Sequence, residues 1–267
     1  MKRAVEKHPY RFVGAMFLTV LGVYVLAGAV TKRLGLPSET LYYGANATLA
    51  VIAVALVTGL GWWRTIGFRR PDRPRVLWLF WLPFLTALAN LVGGLRPVDP
   101  GRALTFLALA LAVGLVEEVF FRGLMLRPLL KRGLWRAVLV STVLFGLMHS
   151  LNVAAGWNAL AVALQISYAL AIGFGYAALV IRTGVIWPLV LAHALTDLFG
   201  YLGANTLTIE AAPSTIEVVI SLGVIVIYVV YGVALLSHRH DRAVTMPGKE
   251  TVDRRHRANR ARMERIG

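Results

Sequence analysis

Cysteine is absent from the 267 residues. That excludes a disulfide framework, a Cys-ligated metal and a Cys nucleophile. Charge is also scarce: only 15% of residues are charged, against about 25% in soluble domains. Acids are the rarer sign, with 13 Asp and Glu against 28 Lys and Arg, for a net charge of +15. With 58% hydrophobic residues and a mean hydropathy of +0.68, there is too little polar surface to clothe a soluble domain. No internal repeat or second composition class divides the chain. A basic excess on a soluble domain would suggest nucleic acid. Here the basic residues lie between and after apolar runs, where they set topology and meet anionic lipid headgroups. No nucleic-acid partner is expected.

What is abundant is apolar sequence in long runs. About 30 Å of hydrocarbon needs about 20 apolar residues as a helix. Runs near that length lie at Phe12–Val30, Leu41–Gly61, Val76–Val92, Ala103–Leu130, Trp135–His149, Leu160–Ile181, Val185–Leu202 and Ile216–Leu236. Backbone groups in lipid must pair within their own segment, so each run is expected to be helical. The expectation is an all-α, polytopic transmembrane bundle of about eight helices over residues 1–237. The polar, Arg-rich tail, 238–267, is expected to be disordered or to lie on anionic lipid. The fourth run is long enough to project from the bilayer. The fifth is short, and its helix is expected to continue past Asn152.

Orientation follows from Lys and Arg. With the N-terminus in the cytoplasm, eight crossings put 23 basic residues inside and four outside, the latter being Lys32, Arg33, Arg96 and Arg102. Both termini are therefore expected in the cytoplasm, in a membrane of the bacterial inner type. The first run has a basic flank and Ala27-Gly28-Ala29 near its end, as signal peptides do. At about 19 residues it is longer than a signal core, so it is read as a retained span.

Ionisable groups inside a span are costly and point to function. Glu117, Glu118, Arg122, His149, His193 and Asp197 are such groups, and they fall on three of the eight runs. Adjacent carboxylates on a helix point about 100° apart. Glu118 and Arg122 stand four apart and can pair. Glu117 is left without a local partner, as a group that exchanges protons would be. The plain alternative is a structural ion pair plus a Glu bonded to a neighbouring helix. His149 ends the fifth run, and on its own it reads equally well as an interhelical hydrogen bonder. His193 and Asp197 share a helix face at i, i+4, so Asp197 can orient the ring or join it on a metal. His149, His193 and Asp197 are the tentative metal ligands, with Zn2+ or another divalent ion as the option such donors allow. A metal would activate a water for which Glu117 is the base. The same groups could also activate water directly.

Glu-Glu-x-x-x-Arg (117–122), Phe-x-x-x-His (145–149) and His-x-x-x-Asp (193–197), in that order on separate helices, resemble the CPBP intramembrane proteases. These are the CAAX proteases and bacteriocin-processing enzymes, also called the Abi family. The resemblance implies an endopeptidase acting on membrane-embedded or lipidated peptides. By it Glu117 and His149 activate water. Glu118 and Arg122 support the fourth helix. His193 and Asp197 complete a metal site or stabilise the oxyanion. Family members often carry Asn where this chain has Asp197, and the added negative charge favours metal or a protonated Asp. A transporter or proton relay built on the same Glu and His residues is the competing class, and an inactive scaffold is the third. The absence of an inverted repeat weighs against a transporter.

Overall fold

The computed structural model describes residues 2–92 and 94–237. The basic tail, 238–267, and the expectation made for it lie outside the described residues. All regular structure among the described residues is helical. Eight long helices follow one another: α1 Pro9–Arg33, α2 Thr40–Leu60, α3 Pro74–Ala89, α4 Pro100–Arg132, α5 Leu134–Ala154, α6 Ala159–Thr183, α7 Trp187–Ala204 and α8 Thr215–Ser237. Local chemistry sets their ends. Asp99 accepts hydrogen bonds from the Gly101 and Arg102 amides and precedes Pro100 at the first turn of α4. Asn158 caps α6 through the Leu160 and Ala161 amides. Each cap occupies amides that have no partner inside the helix.

Large apolar side chains face outward over most of the bundle, among them Leu18, Val51, Leu104, Ile216 and Val230. Six helices, α1, α2, α4, α5, α6 and α8, are long and apolar enough to cross a bilayer. An apolar belt on a bundle of such helices defines an integral membrane protein. The two remaining elements explain where simple run-counting is too coarse. α3 has a shorter apolar stretch than the expected Val76–Val92, because Pro74 opens it as a tight turn and it ends at Ala89. α7 has 18 residues and follows the buried Val185 and Ile186.

Connections alternate between two ends. At one end Lys131 pairs with Glu6 at 2.8 Å, and Arg132 donates to the Lys7 carbonyl at 3.2 Å. Arg69, after α2, and Arg127, near the end of α4, both donate to the Gly184 carbonyl between α6 and α7, at 3.2 and 3.4 Å. At the other end Arg102 pairs with Glu39 at 2.9 Å and donates to Asn205 Oδ1 at 3.1 Å. There Arg96 also bonds Leu202, and Asn158 bonds Ile209, through backbone groups. The connections α1–α2, α3–α4, α5–α6 and α7–α8 thus share one end, as eight crossings require.

The Ile186 amide bonds the Gly67 carbonyl, and Val185 and Ile186 are fully buried, so the link into α7 is packed within the bundle. α5 begins just beyond Arg132 and runs past Asn152 to Ala154, with a brief break at His149 and Ser150. A residue early in α7 and a residue late in α5 can in this way reach the same depth.

Candidate active site

α4 carries the first two carboxylates at a change of helical winding. From Glu118 to Met125 the backbone takes the wide π form, and every residue of that stretch is buried. Such turns concentrate at functional sites. The Ser141 hydroxyl on α5 donates to the Phe121 carbonyl at 2.7 Å and ties the widened turn to its neighbour.

α7 crosses α4 at Gly114. A Cβ there would stand 2.7 Å from the Val190 carbonyl oxygen and 3.0 Å from the Ala194 amide nitrogen. Only a residue without a side chain allows this approach. It brings His193, next to Ala194, against the carboxylates one turn along from Gly114.

His193 is the hub. Its Nδ1 hydrogen-bonds Glu118 Oε1 at 2.9 Å. Its Nε2 is 3.5 Å from Glu117 Oε2 and 3.8 Å from Asp197 Oδ2. Arg122 reaches Glu118 Oε1 at 3.4 Å, and its guanidinium lies 4.0 Å from the Phe145 ring centroid and 5.5 Å from that of Tyr176. Glu118 and Arg122 are the expected pair, but the charge of Glu118 is not consumed locally, because the same oxygen holds His193. The i, i+4 partner Asp197 is the more distant of the contacts on the ring. Orientation of the imidazole thus comes from another helix.

His149 closes the site from α5. Its Nδ1 shares a hydrogen bond with the Phe145 carbonyl at 3.0 Å. With Nδ1 donating to that carbonyl, Nε2 is the nitrogen open to a ligand. Phe145 packs edge-on against Phe121, His149 and His193, with centroids 5.2, 5.0 and 6.3 Å away. Phe145 is therefore the common wall between the Arg122–Glu118 pair and the two imidazoles.

Glu117, His149, His193 and Asp197 all line one cavity of about 300 Å³. Glu117 Oε2 and Asp197 Oδ2 are buried with no hydrogen-bond partner among the described residues. Both oxygens face His193 Nε2, so the imidazole is the donor nearest to them. Tyr24, Asn46, Asn152, Gln165 and Tyr168 add neutral polar groups to the lining. Asn46 bonds the Tyr24 hydroxyl at 3.1 Å, and Asn152 donates to Gln165 at 2.9 Å. Sequence reading passed over these five. They carry no charge, and single Asn, Gln or Tyr residues in an apolar run give no signal beyond their cost in lipid.

The tentative metal ligands His149, His193 and Asp197 do not form a ligand set as placed. Among the described residues no group of three or more His, Asp or Glu side chains is arranged to hold a metal ion. Each imidazole holds Nδ1 on a protein oxygen, which fixes the ring and leaves Nε2 toward the cavity.

Residues 99–199 match the family model described as type II CAAX prenyl endopeptidase Rce1-like. That stretch holds all three motifs and the α4–α7 crossing. Over that stretch the chain is similar to this family. No curated protein and no solved structure matches the chain.

Proposed function

We propose that the protein is an intramembrane endopeptidase that hydrolyses a peptide bond of a membrane-embedded or lipidated peptide through a water activated by Glu117 and His149. The observation that carries this reading is the convergence of two acids and two imidazoles from three helices on one buried cavity. Glu117 lines the cavity, and its contact with His193 is a loose 3.5 Å, so its carboxylate is placed to take a proton from a molecule bound there.

The steps balance as follows. Glu117 takes a proton from water as the water oxygen bonds to the scissile carbonyl carbon. His149 Nε2 orients that water. The carbonyl oxygen gains negative charge and is stabilised from the His193 side of the cavity. Glu117 then returns the proton to the amide nitrogen, the C–N bond breaks, and the new carboxylic acid passes its proton to the amine, so that a carboxylate and an ammonium leave. Glu118 and Arg122 hold His193 in place. Asp197 balances the ring on its far side.

In this reading both termini are cytoplasmic, and the basic connections rest against anionic headgroups. The test compares membrane-peptide fragments from cells carrying the wild type or Glu117→Gln. Fragments should appear with the wild type and vanish with the variant at equal protein level. Identical fragment sets from both would overturn the proposal.

A further inference from the structure

The cavity has one open end, and its chemistry says which. Its floor is formed by Phe121, Val116 and the two imidazoles, and from there the lining runs through Thr196, Gly200 and Tyr201 to Tyr42, Trp157 and Thr206 through Ile209. Asn90 and Ile209, at that end, are exposed. Asn90, Trp157 and Thr206 through Ile209 belong to the connections α3–α4, α5–α6 and α7–α8, and Tyr42 stands in the first turn of α2 at the same end. The Trp157 indole donates to the Tyr42 hydroxyl at 2.8 Å and frames the rim. No Lys or Arg is among the lining residues.

The basic residues gather at the opposite end, on the connections α2–α3, α4–α5 and α6–α7. That end is closed beneath the site. Phe120, Phe121, Leu124, Met125, Leu179 and Val180 fill the bundle below Glu118 and are essentially inaccessible. A peptide approaching from the basic side would have to displace this core.

We infer that the substrate reaches the site from the membrane face opposite the basic connections, so that its scissile segment lies on the extracytoplasmic side. The inference rests on the proteolytic reading for the word substrate, but the sidedness of the cavity stands by itself. It defines a substrate class: a membrane peptide whose cleaved stretch is presented outside, extended between neutral polar and aromatic groups. A lipidated chain end held at the cytoplasmic face would not meet the site.

The native chain has no cysteine, so single thiols can be introduced without background. Thr208→Cys probes the mouth, Thr196→Cys the interior of the cavity, and Asp72→Cys the exposed basic end. Each full-length variant is treated in sealed right-side-out and inside-out vesicles with a small charged, membrane-impermeant methanethiosulfonate. Thr208→Cys and Thr196→Cys should react from the same face, and Asp72→Cys from the other. Reaction of Thr196→Cys from the Asp72 face, or from neither face, overturns the inference. Cleavage sites of Glu117-dependent fragments should map to segments on the Thr208 side. If no Glu117-dependent fragment exists, the proteolytic reading fails while the labelling result still decides the access face.

Discussion

Glu118 and His193 lie 75 residues apart in sequence and share a 2.9 Å hydrogen bond inside the bundle. The same Glu118 oxygen is 3.4 Å from Arg122. One carboxylate oxygen therefore joins the internal ion pair of α4 to the imidazole of α7. Removing it strands two groups at once. Glu118→Ala should destabilise by about 3–5 kcal/mol, the usual cost of leaving a buried charge unpaired. Glu118→Gln keeps an acceptor for the ring and should lose less. Melting temperatures of the two purified variants give the order, and equal melting for wild type and Glu118→Ala would refute the bridging role.

Glu117 differs from its neighbour in what it touches. It accepts no hydrogen bond from the described protein, and its side chain opens on the cavity. Glu117→Gln should therefore fold as well as the wild type while cleavage falls by about 10²–10⁴-fold, the range for loss of a general base. The adjacent pair thus predicts opposite outcomes, and one thermal melt with one cleavage assay for each variant separates them.

Gly114 sets the distance between α4 and α7. A methyl at this position would lie 2.7 Å from a backbone oxygen, which cannot swing aside. Gly114→Ala should push the helices apart, cost about 1–3 kcal/mol as overpacking does, and lower cleavage by drawing Glu117 away from His193. Gly59→Ala on α2, where a Cβ meets nothing within 4 Å, is the control and should be silent in both assays.

Much of this was legible in the chain, and the illegible part has identifiable causes. Each of the eight runs falls on a helix, and in six of them the bilayer's demand for length and apolarity is met in full, whereas α3 and α7 fall short of it. The six ionisable residues stand out because lipid makes them expensive. Their wiring was not legible. An i, i+4 rule assigns Arg122 to Glu118 and Asp197 to His193, since it sees only contacts within one helix. The Glu118–His193 bond depends on a widened turn in α4 and on Gly114, neither of which local periodicity reveals. The depth of His193 was also hidden. It depends on the link into α7 being packed within the bundle, where the Ile186 amide bonds the Gly67 carbonyl, a tertiary arrangement that a count of residues from a span end misses.

The side chains proposed for the chemistry also bear on metal. Among the described residues no trio of His, Asp or Glu side chains is arranged to hold a metal ion. Purified protein should carry no stoichiometric divalent metal, and prolonged chelation should leave its melting temperature unchanged. Elemental analysis beside a melt with and without chelator checks both. A tightly held ion whose removal lowers the melting temperature would refute this.

Membrane sidedness follows from the grouping of connections. The Arg102 guanidinium ties Glu39 and Asn205 at one end, while Arg69 and Arg127 meet at Gly184 at the other. Reporter fusions at Gly267 and within the Leu207–Pro213 connection should report opposite faces, with Gly267 cytoplasmic. The same face for both would break the eight-crossing arrangement.

Arg122 and His149 separate support from chemistry most sharply. Arg122 is buried to 1% exposure, and it lies between Glu118 and the faces of Phe145 and Tyr176. Its loss leaves Glu118 uncompensated in a low-dielectric interior, so Arg122→Ala should lower folded yield and melting temperature by an amount near the buried-pair cost of about 3–5 kcal/mol. Arg122→Lys should rescue only in part, because an ammonium cannot reproduce the flat contact with two rings. His149 makes a single hydrogen bond, to the Phe145 carbonyl of its own helix. That carbonyl is one turn back on α5, so His149→Ala removes little of the fold, and its melting temperature should stay near that of the wild type. Its cleavage rate should fall by orders of magnitude, because Nε2 is the nitrogen proposed to hold the attacking water. Yield, melting temperature and fragment release measured on all three variants decide the matter. A stable but inactive Arg122→Ala beside an active His149→Ala would transfer the chemistry from the imidazole to the guanidinium.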